Sequence, residues 1–169
     1  MFAGFVEMDS TILIPLVTED AGTTTDADSL PLFRVYGDSG LLASAGGTCA
    51  FKDAGSVSGA TNASPIVISS TGHNLSTGMR VTVVGVLGNT ASNNTWSIIR
   101  IDGNSFSLTG STGNGAYTGS GTWHVTGLYD ASITPTIATQ FASGQNFTVV
   151  VNPIIGGDVL PQSFTFVVT

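Results

Sequence analysis

Few side chains in this sequence could do chemistry. They are two histidines, His73 and His124, one cysteine, Cys49, and an acidic cluster at Glu19, Asp20, Asp26 and Asp28. Neither histidine has a Cys, Glu or His at metal-ligand spacing, so no zinc site is expected. His73, in TGHNL, is expected to fix a turn through a side-chain to backbone hydrogen bond; the alternative is acid–base or ligand duty. His124 lies between Trp123 and Val125 and is expected to face outward. The acids are close enough in sequence for a calcium loop, but with Thr23–Thr25 between them their spacing does not match an EF-hand. Asp20, Asp26 and Asp28 are therefore read as a solvated loop or a contact surface.

Other motifs are equally thin. Ser39 in GDSG matches a serine-nucleophile tetrapeptide, but a triad needs a base and an orienting acid, and none is spaced to serve. The Gly/Ser run near 119–122 lacks the lysine and following helix of a phosphate loop. Trp96 and Trp123 could stack on a sugar, yet each sits within an apolar strand and is expected to pack inside. Tyr117, in the Gly-rich NGAYTGSG, is the aromatic best placed for an exposed contact. Cys49 is expected to be a small buried hydrophobe, with a reactive thiol or an interchain bridge as the alternative. No catalytic residue, cofactor or metal is expected, and the chain is not read as an enzyme.

The composition narrows the partners. Hydrophobic residues make up 41% of the 169, enough for a core, whereas charged residues are only 9%, far below the usual ~25%. Ser, Thr, Asn and Gly must supply the polar surface, and little charge remains to keep strand edges apart. The net charge is −7, and Arg34, Lys52, Arg80 and Arg100 are scattered. That argues against a nucleic-acid partner and against a basic membrane-surface helix. No run approaches the length of a membrane span, and MFAGFVEMDS has no signal-peptide pattern. The sequons at Asn62, Asn74, Asn93 and Asn146 are read as chance matches in a Ser/Thr-rich chain.

Strand patterns dominate. Apolar, β-branched segments at 3–8, 11–17 and 31–37 are followed by the turn GDSG. Residues 18–31 have no periodicity and read as a loop, or as a subunit-contact arm. Six short strands are expected at 55–60, 64–70, 79–86, 94–101, 104–110 and 121–127, with Asp102-Gly103 as a hairpin turn. Strands at 127–133, 145–154 and 162–169 follow, with 156–161 as a turn and TPTIATQFASG at 134–144 as one helical turn. Residues 55–125 carry a net charge of +1 and the remainder −8. The two outer segments are each too small to bury a core alone. The expected architecture is all-β: a discontinuous β-sandwich from 1–54 and 126–169, with a small β-barrel-like domain, 55–125, inserted.

Residues 60–123 resemble a small β module found in tail, fibre and head proteins of tailed bacteriophages. The same module is often matched to the first catalytic cysteine half-domain of ubiquitin-activating enzymes. The likeness is carried by TGHNLSTG (71–78), GVLGNT (85–90), NNTW (93–96), NSFSL (104–108) and GAYTGSGTW (115–123). Asn74 departs from the phage pattern, which usually has Gly, but Asn tolerates the left-handed conformation. The flanks, PLFRVYG and TGLYDASI…ASGQNFTVVV, resemble phage structural proteins more loosely. The resemblance implies a virion structural protein, first a capsid decoration protein on the particle exterior. The alternative is a tail, fibre or spike component with an adhesin-like module binding host surface glycan. The expected partners are other virion proteins, capsid or tail, and further copies of the chain in an oligomer.

Overall fold

The computed structural model describes the backbone of all 169 residues, and every side chain except those of residues 2, 3, 42–44 and 138. The protein is all-β, with 50% of residues in strands. The chain forms two compact units, one from Met1–Phe51 with Gly127–Thr169 and the other from Lys52–Thr126. The first strands are β1 (Phe2–Val6), β2 (Ile12–Val17), β3 (Glu19–Asp20), β4 (Thr23–Thr24), β5 (Leu32–Gly37), β6 (Gly40–Thr48) and β7 (Ala50–Phe51). The middle unit adds β8 (Ala54–Ser56), β9 (Gly59–Ala60), β10 (Ile66–Ser69), β11 (Arg80–Val84), β12 (Thr95–Arg100), β13 (Ser105–Leu108) and β14 (Thr122–Val125). The last are β15 (Leu128–Ile133), β16 (Asn146–Asn152), β17 (Ile154–Ile155), β18 (Asp158–Val159) and β19 (Gln162–Val168).

The discontinuous unit is a sandwich. One sheet has the order β1-β19-β16-β5-β6, and the other has the order β2-β15-β7. Period-2 alternation fixes which side chains turn inward. On β16 these are Phe147, Val149 and Val151; on β19, Phe164, Phe166 and Val168; on β5, Phe33 and Val35. The smaller sheet contributes Ile14, Leu16, Tyr129, Ala131 and Ile133 to the same cluster. Phe141, Phe147 and Phe166 pack ring against ring at its centre, with centroids 4.6–5.9 Å apart. β1 pairs with β19 in parallel, whereas the other pairs of both sheets are antiparallel.

The middle unit is one curled sheet, β8-β14-β11-β12-β13-β10-β9. Its two edge strands, β8 and β9, are separated by Val57 and Ser58 alone, so the sheet must curl until its edges nearly meet. Val57 N donates to Gly121 O at 2.9 Å, and Ser58 N donates to Ser69 O at 2.8 Å. Adjacent residues thus bond opposite edges, and the bent segment 54–60 fastens the barrel. Val57, Ile66, Ile68, Val81, Val83, Ile98, Phe106, Leu108 and Trp123 are buried in this unit.

Three expectations need correction. Residues 40–48 were not expected to form a strand, but they are β6, the longest strand. GLLASAGGT has no alternation to reveal it; its pairing with β5 positions it, with a register shift between Phe33 and Val35. The stretch 18–31 is not structureless, since β3 and β4 form a small hairpin within it. Likewise 156–161 is part of a second hairpin, β17–β18, rather than a bare turn. The single turn expected within 134–144 is a 3-10 turn, Ile137–Thr139, capped by Thr136.

Candidate functional site

The most site-like concavity lies on the middle unit, a polar trough of about 410 Å³. Its walls are Lys52–Ser56 and Ser58 on one side and Ser70–Asn74 on the other, with Trp123 beneath. The trough is the open stretch of the barrel seam, where the 54–60 segment leaves β10 and crosses to β14. Asp53 O accepts from Val125 N, and Val57 N donates to Gly121 O. Residues 53, 55 and 57 therefore turn their main chain toward β14, with Gly55 opposite Trp123. By the alternation of an antiparallel ladder, Ala54 and Ser56 direct their N–H and C=O groups the other way, into the trough. Ser58 points the same way, and its N–H meets Ser69 O.

The floor is rigid. The Trp123 indole lies against the Gly55 backbone, so that a Cβ on residue 55 would fall 2.8 Å from its ring. Its Nε1 donates to the buried Ser70 Oγ at 2.7 Å. Phe106 meets Trp123 and His73 edge-on, with centroids 6.0 and 5.2 Å apart. His73 Nδ1 accepts the Leu75 N–H at 3.0 Å, which leaves the ring proton on Nε2, 3.3 Å from Ser105 O. Both ring nitrogens are thus engaged by backbone, the turn-fixing role read from TGHNL. Asn74 holds the left-handed conformation at φ 52°.

The remaining predicted residues do not converge. Asp28 accepts the Gly156 and Gly157 N–H groups, one on each oxygen, at 3.1 and 2.9 Å. Asp26 Oδ1 accepts from Gly127 N at 2.7 Å, with the Tyr129 hydroxyl 3.5 Å away. Asp20 is exposed at the tip of the β3–β4 hairpin. Among the described residues no group of three or more His, Cys, Asp or Glu could hold a metal ion. Ser39 is exposed in the two-residue turn between β5 and β6. Tyr117 is half-buried, its hydroxyl 2.9 Å from Val57 O and 3.1 Å from Ser120 O. Trp96 is also half-buried and donates to Ser92 O at 2.8 Å. His124 does not face outward: it is 7% exposed, and its cross-strand neighbours Thr82 and Ala54 flank it in the sheet.

Two asparagines, Asn89 and Asn93, anchor the loops of the middle unit. Asn89 is fully buried; its Nδ2 donates to Thr61 O at 2.8 Å, and its Oδ1 accepts from Asn114 N at 3.1 Å. Asn93 pairs its amide with both main-chain groups of Val86, at 2.8 and 2.9 Å. Their position in GVLGNT and NNTW was the available signal. These motifs hold a loop framework together. Gly88, at φ 80°, lies so close to Ala116 O and Thr118 N that no side chain fits there.

In the sandwich, Cys49 is 1% exposed, and its thiol is pushed up to about 11 by burial and then by Asp130. Tyr129 is pushed up to about 12, chiefly by burial, with the Ala27 N–H opposing and Asp26 adding. Neither group is poised to react near neutrality. Among the described residues no helix is long and apolar enough to cross a membrane. No known protein family matches this chain, and no curated protein matches it in sequence.

Proposed function

We propose that this protein is a non-enzymatic virion structural protein of a tailed bacteriophage, a decoration protein that sits on the capsid exterior and binds neighbouring virion proteins and further copies of itself. The observation that carries this reading is the combination of uncharged edge strands with a chain in which only 9% of the residues are charged. β6 ends its sheet with nine residues, none of them charged, and β1 ends the other side. Soluble monomers usually guard such edges with charge, proline or a covering element. Apolar side chains add to the adhesive surface: Phe5 is 73% exposed, Leu32 58% and Ile137 83%. The likeness of residues 60–123 to the phage module supplies the particle context.

His73, Asp26 and Asp28 all spend polar side-chain atoms on main-chain groups, which favours a structural role over hydrolysis. The aromatics proposed for glycan contact are half-buried or buried, with their polar atoms bonded internally. That disfavours the adhesin alternative.

Immunogold labelling of purified phage particles with an antibody to this chain tests the assignment. Regular labelling over the head is the expected result. An unlabelled particle, together with a concentration-independent monomer in sedimentation, would overturn it.

A further inference from the structure

We infer that the open seam of the middle unit is a β-augmentation site, taking one extended, neutral peptide segment from an assembly partner. The inference rests on the structural role proposed above only for the identity of that partner. Three observations converge on a peptide. The N–H and C=O groups of Ala54 and Ser56 face the trough with the two-residue repeat of a ladder, a pattern that another main chain complements. β8 carries only Ala, Gly and Ser, so no bulky or charged side chain shields this edge. The opposite wall, Ser70–Asn74, supplies hydroxyl, amide and glycine surfaces on which small side chains can rest.

The choice of a neutral segment follows from charge. Lys52 and Asp53 oppose each other in sign at one end, and the rest of the lining is Ala, Gly, Ser, Thr, Asn and Trp with His73, whose ring is held by backbone. A saccharide fits less well. Sugar sites present an aromatic face, and here Trp123 is 2% exposed, lying against Gly55. Its Nε1 is already given to Ser70.

The test is a titration of the isotope-labelled full chain with the capped peptide acetyl-Thr-Val-Thr-Gly-Thr-amide, followed by amide NMR. Saturable shifts confined to residues 54–58 and 70–74 are expected. A twin peptide methylated at alternate amide nitrogens cannot complete the ladder and is expected to bind about tenfold more weakly. Ser56→Pro removes the outward N–H while leaving the Val57 bond to Gly121, and should weaken binding similarly; if it does not fold, the methylated twin carries the same question. Absence of shifts, equal binding of the two peptides, or shifts produced by maltose or N-acetylglucosamine but not by peptide would each overturn the inference. The titration needs no particle. A negative result alongside a labelled capsid would therefore remove the seam site and leave the proposed function standing.

Discussion

At the scale of single residues, close approaches and side-chain hydrogen bonds hold the middle unit together. Gly55→Ala should force the Trp123 indole off its seat and strain its bond to Ser70, at a cost of about 1–3 kcal/mol. Equilibrium urea unfolding followed by tryptophan fluorescence would measure it. Asn89→Ala should cost about 1–2 kcal/mol, because Thr61 O and Asn114 N–H lose the fully buried side chain that bonds them both. In the sandwich, Cys49 and Tyr129 both hold their protons more tightly in the fold than in the unfolded chain, where the ordinary values are 9.0 and 10.0. Their contribution is therefore complete below about pH 9 and is lost as pH climbs toward 11 and 12. The urea midpoint should fall between about pH 9 and pH 12, and Cys49→Ala should flatten the first part of that fall.

At the scale of elements, legibility followed periodicity. β5, β16 and β19 alternate large apolar residues with polar or smaller ones, so their existence could be read directly. The short strands β10 to β14 were readable because Gly-rich turns bracket them and because Asp102-Gly103 marks the β12–β13 hairpin. There the Asp102 carboxylate accepts the Asn104 N–H at 2.7 Å, and this bond, first among its contacts, holds the carboxyl below the usual range. β6 was invisible because its sequence, GLLASAGGT, does not alternate, and it is its pairing with β5 that positions it. His124 was misread because one strand's pattern cannot reveal that its other face is covered too. The trough was not legible at all, since it arises where residues 54–60 change partners, a tertiary event without a local signature. Asp28 lies at the surface, and there it also clamps Gly156 and Gly157 at the β17–β18 turn. Asp28→Ala should raise hydrogen exchange at those two amides by about tenfold or more, leaving β16 and β19 protected.

At the scale of the whole molecule, the insertion has a simple topology. The middle unit begins and ends side by side, with Val125 N bonded to Asp53 O at 2.8 Å. In the sandwich, Phe51 and Tyr129 face each other across β7 and β15, so the cut ends of that unit are adjacent as well. Residues 52–126 expressed alone should give a dispersed NMR spectrum and a cooperative melt. The sandwich with that segment replaced by a short Gly/Ser linker should do the same. A split product that melts without cooperativity would show that neither core is self-sufficient.

The parallel pairing of β1 with β19 has a mechanical consequence. A pull applied at Met1 and Thr169 draws two neighbouring parallel strands in opposite directions along their length, so the hydrogen bonds from Phe2 to Val6 share the load instead of tearing one by one. Such a clamp resists stretching far better than a hairpin peeled from one end. Single-molecule stretching should find a high rupture force, and Val6→Pro, which interrupts the clamp, should lower it.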